Sequence, residues 1–326
     1  MEYNSHDVET NYKEILILSA TTDITTFHVV KWLEYFGHNA TILTENDNVN
    51  YCHLENNRII IGGDGFILDF DNIKSYWYRR NGFNFNISLT DNASIDNILK
   101  DEIFTINEYI HYKLSQIPSL GSFHLRDFNR LIAIDIASSL FRVPNYIITN
   151  KKSDLLAFYN CYKRVVTKAI RNTLSTVEDE FGFIAYTSII SKDNINEIPE
   201  QFFPSLFLEY IEKRIEIRVF YLDGKCFSMA ILSQCDETTS VDYRNYNVLN
   251  PNRNVPIILP KHIEISIDKL MRNLNLQTGS IDFILSSNEE FVFLEVNPIG
   301  QFLNVSHICN YCIEKEIAKY LISIAR

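Results

Sequence analysis

The chain has 326 residues, 46% of them hydrophobic and 22% charged, with six cysteines and a formal net charge of −11. This is the composition of a folded protein with room for two or three compact subdomains. It argues against nucleic acid or a membrane surface as partner of the whole molecule. No apolar run approaches the ~20 residues of a membrane span. The polar start Met1-Glu-Tyr-Asn-Ser-His-Asp7 is no signal peptide, and the scattered cysteines fit reduced thiols in a cytoplasm.

Lys13-Glu-Ile-Leu-Ile-Leu-Ser19 reads as a buried strand. Thr21 to Thr26 offers caps for a helix through Phe27–Phe36, which Gly37 stops. Ala40-Thr-Ile-Leu43 resumes as a strand, so the chain opens with a βαβ unit. Ser19-Ala-Thr-Thr-Asp23 lacks the glycines of a dinucleotide fingerprint. Arg58 to Phe70 reads as a hairpin turning at Gly62-Gly-Asp-Gly65. Ile73 to Arg80 is a strand ending in two arginines, which read as a surface pair or as a contact for an anion. Ser94 to Ile117 is a long helix, and Ile117-Pro-Ser-Leu-Gly121 ends the first domain.

Apolar spacing predicts a helix over 127–141, leading through Val143-Pro-Asn-Tyr-Ile-Ile-Thr149 into a strand. A short helix capped by Ser153 runs to Tyr159. Arg164 to Ile170 is a strand carrying Lys168. Arg171 to Glu180 is polar and expected to be mobile, and Phe183 to Ile190 is a further strand. In Leu206 to Leu222, Ile215, Ile217 and Val219 face one way and Arg214, Glu216 and Arg218 the other. An amphipathic edge hairpin with a solvated ionic face accounts for that pattern as well as a site does. Asp223-Gly224 turns the chain into Lys225–Gln234. Lys261 to Leu274 and Cys309 to Ala325 are helices. Cys309-Asn-Tyr-Cys312 reads first as two helix-face cysteines, with a redox or metal half-site as the alternative.

The most informative stretch is Leu276 to Pro298. Ile281–Leu285 and Phe291–Val296 form a hairpin around Ser286-Ser-Asn-Glu289. Asp282, Glu295 and Asn297 interrupt its apolar residues. With Leu285 paired to Glu290, Asp282 faces Phe293 and lies diagonal to Glu295, about 7–8 Å away. Strand alternation puts Phe291, Phe293 and Glu295 on one face. Two carboxylates and an amide oxygen suit a hard cation such as Mg²⁺. A solvated sheet face explains the same alternation.

Taken together, these residues resemble a family. The ordered elements are Asn129-Arg130 at a helix start, Lys168 on a strand, Leu208-Glu-Tyr-Ile211 as a hinge, Glu216-Ile-Arg218, Asp282 and Glu295-Val-Asn297. They resemble the ATP-grasp carboxylate–amine ligases. Trp77-Tyr-Arg-Arg80, Ser233-Gln234, Val241-Asp-Tyr-Arg244, Asn297-Pro-Ile-Gly-Gln-Phe302 and the tail from Asn304 to Leu321 are similar to one branch of them. That branch is the graspetide (microviridin-like) peptide maturases of the grasp-with-spasm type. The resemblance implies an α/β (α+β) chain with the ATP-grasp fold. Its parts would be an N-terminal α/β domain over 1–120, a central subdomain with a lid over 121–203, and a grasp subdomain over 204–326.

By the same resemblance, ATP and Mg²⁺ are the cofactors. Arg130 and Lys168 would bind phosphates, although family members often carry Lys at the first position. Glu209 would meet the adenine amino group, Tyr210 and Ile211 would hold the ring edge through backbone atoms, and Glu216 would face the ribose or a substrate group. Asp282, Glu295 and Asn297 would ligate Mg²⁺, and Arg218 and Arg244 would hold the acyl phosphate or incoming carboxylate. The implied partner is a ribosomally synthesised precursor peptide, with a leader and a core carrying Thr, Ser or Lys together with Asp or Glu. A homodimer is the suggested assembly. The implied reaction activates an acidic side chain as its acyl phosphate and closes an ester or amide macrocycle. Two rivals stand beside it. One is a RimK-like ligase acting on a small-molecule or protein carboxylate, the other a nucleotide-binding scaffold without turnover.

Overall fold

The computed structural model describes residues 15–325 apart from 87–89, 127, 172–174, 179–180, 185, 237–238, 240 and 246, with backbone alone for 175–178 and 181–184. The chain divides into two compact units, one of Met1–Asp127 with Cys312–Arg326 and the other of Phe128–Tyr311. The helix expected over 127–141, whose first residue lies outside the described ones, spans Arg130–Ser138.

The first unit opens with β1 (Ile15–Leu18), α1 (Ile24–Tyr35) and β2 (Ala40–Leu43). All four β1 residues are buried, as a strand covered on both faces requires. A hairpin array follows, β3 (Asn48–Glu55), β4 (Arg58–Gly63) and β5 (Phe66–Asp69), then β6 (Ser75–Tyr78) and β7 (Asn84–Phe85). The β4–β5 turn is Asp64-Gly65, with Gly65 at φ +86, where only glycine is unstrained. The charged and polar residues of β3 hide its strand character from the sequence; pairing with β4 along most of its length supplies it. The long helix is α2 (Ala93–Leu114), followed by β8 (Ser119–Leu120). Strands β2-β1-β6-β8 form one parallel sheet and β5-β4-β3-β7 a second sheet.

Two features of this unit go beyond the sequence reading. Arg79 and Arg80 meet an anion rather than forming a plain surface pair, and the anion is internal, the Asp23 carboxylate. The Arg79 side chain is 4% exposed and donates to Asp23 at 3.0 Å and to Thr25 Oγ1 at 2.9 Å, while Arg80 Nε reaches Asp23 at 3.3 Å. Asp23 is also the N-cap of α1, accepting from the Thr25 N–H. The parallel sheet brings the end of β6 beside the end of β1, where α1 starts, so the arginines close over the helix terminus. Burial pushes the Asp23 carboxyl up, but Arg79, Thr25 and Arg80 together hold it below the usual carboxylate range. The second feature is His111 on α2. It is buried and stacks on Phe123 with ring centres 3.6 Å apart, and neither ring nitrogen has a partner among the described residues. Burial, then His124 and Arg126, push its pKa down to about 3.

The second unit begins with α3 (Arg130–Ser138), N-capped by Asn129 as the motif predicts. Next come β9 (Tyr146–Lys151), α4 (Lys152–Tyr162) and β10 (Val165–Lys168). Ser153 lies inside α4 rather than capping it; Lys151 holds the cap position without a side-chain bond. The polar stretch expected to be mobile contributes β11 (Ser175–Glu178), which pairs with β12 (Phe181–Ile184). The single strand expected over 183–190 is divided between β12 and β13 (Ser188–Ile190). A short helix, α5 (Lys192–Glu197), leads to β14 (Gln201–Glu209). Strands β13-β10-β14-β9 form an antiparallel sheet.

The last sheet is antiparallel and five-stranded, in the order β17-β16-β15-β18-β19. Its members are β15 (Lys213–Leu222), β16 (Lys225–Leu232), β17 (Arg253–Pro256), β18 (Thr278–Ser286) and β19 (Phe291–Asn297), with α6 (Lys261–Asn273) between β17 and β18. Because β15 lies between β16 and β18, it is no edge strand, and Glu216 and Arg218 do not form a solvated rim. Phe141 covers one face, its ring 5.1 Å from Phe283 and 6.4 Å from Phe293. The chain then forms α7 (Leu303–Cys309) and α8 (Ile313–Ile324) rather than one helix from Cys309; Asn310 and Cys312, at φ +53 and +52, break it. Helix α8 belongs to the first unit, where it packs on α1 and Lys315 lies over Trp32. All six cysteines are free thiols. Among the described residues, no helix is long and apolar enough to cross a membrane.

Candidate active site

The site is built on one face of the five-stranded sheet by two irregularities of register. The first lies between β18 and β19. Phe283 pairs with Phe293, then the register shifts, and Asp282 pairs with Glu295. Leu294 is the extra residue of this bulge. The expectation that Asp282 faces Phe293 and lies diagonal to Glu295 is therefore overturned: the two carboxylates are directly opposed. Phe293 is fully buried with Phe283 on the other face, so it does not share a face with Glu295 either.

The second irregularity lies in β15, between Lys213 and Ile215. Simple alternation puts Arg214 beside Glu216 and Arg218. The bulge instead sends Arg214 to solvent, where it pairs with Glu289 at 2.8 Å, and turns Lys213 onto the face of Glu216. Lys213 is 7% exposed, ion-pairs with Glu216 and donates to the Val241 carbonyl at 3.0 Å. Ser233 completes the shell of Glu216 at 3.0 Å. Burial raises the Glu216 pKa against the pull of Lys213.

Across the sheet, Arg218 on β15, Asp282 on β18 and Glu295 on β19 form one transverse row. Arg218 Nη1 is 3.4 Å from either Asp282 oxygen. Glu295 Oε2 receives Lys168 Nζ at 3.3 Å and Arg130 Nη2 at 3.0 Å, and Arg130 also donates to the Ala169 carbonyl. Burial pushes Glu295 up, but Lys168, Arg130 and Arg244 overcome it and hold its pKa at about 2. Asp282 is raised, by burial first and by Glu295 across the hairpin, against Arg218. Lys168 is lowered by burial, opposed by Glu295. Arg244 is fixed from within its own loop, where Asp242 takes its Nε at 2.8 Å and its Nη2 at 2.7 Å. Asp242 also accepts the Thr187 N–H at 3.0 Å.

These groups open onto a cleft enclosing roughly 800 Å³, solvent mouth included. One part of its wall is apolar, with Val166, Leu208, Ile211, Ile284 and Leu294; another carries Lys168, Arg244, Asp282 and Glu295. Glu209, Tyr210, Ile211 and Glu216 line it as well. Glu209 is pinned by the Asn145 N–H at 3.1 Å and by Arg142 at 3.4 Å. The Tyr210 N–H is committed to the Arg164 carbonyl, and the Tyr210 ring lies under the Arg164 guanidinium. The buried Ile211 N–H has no partner among the described residues. Asn297 follows Glu295 at the exposed end of β19, its Oδ1 accepting the Ile299 N–H at 3.2 Å. Gly300 lets the next turn fold against Ser280, since a Cβ there would lie 2.1 Å from Ser280 Oγ.

Every residue expected in the site except Asn297 is thus shown either in the cleft wall or bonded to a residue in it. Sequence reasoning missed Lys213, Asp242 and Arg142. Of these, Asp242 alone left a signal, in the tripeptide Asp242-Tyr-Arg244. Among the described residues no group of three or more His, Cys, Asp or Glu is placed to hold a metal. The fit to a magnesium ion rests instead on the opposed oxygen donors of Asp282 and Glu295, hard donors suited to an ion that keeps water and phosphate ligands.

The architecture is the ATP-grasp fold. The chain is similar to the RiPP-associated ATP-grasp ligase of Chryseobacterium gregarium, solved in complex with ADP and a leader and core peptide. The two share 22% identity over 96% of this chain and 97% of that one, with a TM-score of 0.82. It is also similar to the macrocyclase MdnC of Microcystis aeruginosa MRC, bound with precursor peptide MdnA, at 23% identity over 95% and 99% of the two chains and a TM-score of 0.77. A weaker likeness, at 11% identity over 95% and 99% with a TM-score of 0.54, links it to a RimK domain ATP-grasp protein of Sphaerobacter thermophilus. No protein-family model and no curated protein matches the sequence. At these identities the shared property is the fold, and the chain has the ATP-grasp fold.

Proposed function

We propose that this chain is an ATP-dependent ligase that activates Asp or Glu side chains of a ribosomally made precursor peptide and closes ester or amide macrocycles. The observation that carries the reading is the directly opposed pair Asp282 and Glu295, flanked by Lys168, Arg130 and Arg218, at the charged part of a cleft whose other wall is apolar. The apolar wall receives the adenine, and the unpartnered Ile211 N–H serves its ring edge. Glu209 receives the adenine amino group. Lys168 and Arg130 exchange Glu295 for phosphate oxygens when nucleotide binds. Asp282, Glu295 and Asn297 hold magnesium, which supplies charge neutralisation to the transferring phosphoryl group.

A carboxylate is a poor electrophile because it would have to expel oxide. Transfer of the terminal phosphoryl group to it gives an acyl phosphate, and a Thr, Ser or Lys side chain then displaces phosphate. Catalysis of this kind is mainly positioning and charge stabilisation. Arg218 and Arg244 orient the carboxylate and its acyl phosphate, and Glu216 faces the ribose or a substrate group. No covalent enzyme nucleophile is needed. Residues 121–203 act as the central subdomain and 204–326 as the grasp subdomain, with nucleotide between them. The free thiols suit work in the cytoplasm, where newly made peptide is available.

The two solved ligases bound to precursor or leader and core peptides support the same class of partner here. The experiment is mass spectrometry of a precursor peptide encoded beside this chain, incubated with ATP and Mg²⁺. Loss of one water per ring is expected with the native protein, and none with Glu295→Gln or Asp282→Asn. Full dehydration by the Glu295 variant removes the metal assignment.

A further inference from the structure

The mechanism above gives Tyr243 no task. Tyr243 lies in the wall between Asp242 and Arg244, both of them fixed in the loop. Its hydroxyl oxygen accepts a hydrogen bond from Arg218 Nη1 at 2.8 Å. A phenol that accepts one bond still has its own proton to donate. No acceptor for that proton is present among the described residues: the hydroxyl makes its bond to Arg218 and no other, and neither Asp282 nor Glu216 bonds to it. A donor inside a cleft, polarised by a guanidinium and lacking an acceptor, is matched to an anionic oxygen that arrives with a ligand. Arg218 bonds both Tyr243 and Asp282, and Asp282 is one of the two carboxylates that the nucleotide reading places at magnesium and the transferring phosphoryl group, so the anion within reach of Tyr243 is the terminal one.

We infer that Tyr243 donates its phenolic hydrogen to an oxygen of the terminal phosphoryl group of the bound nucleotide, acting with Arg218 as a two-donor clamp. This rests on the nucleotide reading of the cleft and adds to it a preference for triphosphate over diphosphate. Burial raises the Tyr243 pKa, with Asp282 adding to the rise, so the phenol stays protonated as a donor requires.

The test needs no peptide. Titration calorimetry with Mg·ADP and with the magnesium complex of the β,γ-imido analogue of ATP measures the two affinities of the full chain. Tyr243→Phe removes one oxygen and keeps the ring, and an unchanged melting temperature verifies the fold. Loss of a hydrogen bond to a charged group weakens binding by about tenfold or more. The variant should therefore lose about that factor for the triphosphate analogue and less than about twofold for ADP. In the opposite direction, 3-fluorotyrosine at position 243, a stronger donor, should tighten the analogue relative to ADP. An unchanged ratio of the two affinities in both proteins overturns the inference, and so does an equal loss for both nucleotides. If the native chain binds neither nucleotide, it is the nucleotide reading itself that has failed.

Discussion

Asp282 and Glu295 face each other across β18 and β19 because Leu294 is an extra residue in β19. A matching irregularity in β15 turns Lys213 toward Glu216. Each bulge moves a charged residue onto the cleft face that regular alternation would have sent elsewhere or set farther off. Bulges beside active sites commonly re-aim side chains in this way. The cleft is thus lined by ions whose pairing depends on the sheet being imperfect at two places.

Arg218 is the cation nearest Asp282, and its other bond goes to Tyr243. Arg218→Ala should lower turnover of the precursor peptide by about 10²–10³, the usual effect of removing one donor to developing charge. Affinity for ADP should change little. A loss of ADP affinity as large as the loss of rate would make Arg218 a nucleotide-binding residue instead.

The carboxylate of Asp242 accepts from the Nε, Nη2 and backbone N–H of Arg244 and from the Thr187 N–H. Asp242→Asn keeps the shape and removes the charge. Turnover should fall by at least about tenfold, because the guanidinium loses its charge-assisted clamp, while ADP binding persists. Steady-state rates with parallel calorimetry check this; native turnover in the variant would show that Arg244 needs no such support.

In the first unit, Arg79 is a buried cation matched to Asp23. Arg79→Ala removes the buried partner of the carboxylate, leaving it the half-exposed Arg80 and Thr25, and should cost about 3–5 kcal/mol of stability. Denaturant unfolding measures it. A cost below about 1 kcal/mol would mean that Arg80 alone satisfies Asp23.

His111 predicts a pH effect. Its folded pKa is about 3 against an ordinary value of 6.5. Between those values the unfolded chain binds a proton that the folded chain refuses. Stability therefore falls as pH drops from about 6.5 to about 3, by up to about 1.4 kcal/mol per pH unit. His111→Leu removes this contribution, and its stability should depend on pH less steeply over that window. Identical slopes for the two proteins would contradict the buried, neutral imidazole.

The sequence alone determined the elements whose signal is local. The βαβ opening, α2, the hairpin of Asp282 and Glu295 and the turn at Asp223-Gly224 follow from periodicity, capping residues and glycine, which act over a few neighbours. The order of its charged motifs was enough to suggest the ATP-grasp architecture. Strand β3 was not legible, because its side chains are mostly polar and only pairing with β4 makes it a strand. Nor was the fate of Arg79, whose partner lies 56 residues away. Tertiary structure decided which ions meet: Lys168 reaches Glu295 across 127 residues, and Asp282 opposes Glu295 only because of the bulge. Register is a property of the assembled sheet. A single extra residue reverses every later face in a strand, and the twofold repeat of a sequence carries no mark of where that residue will fall.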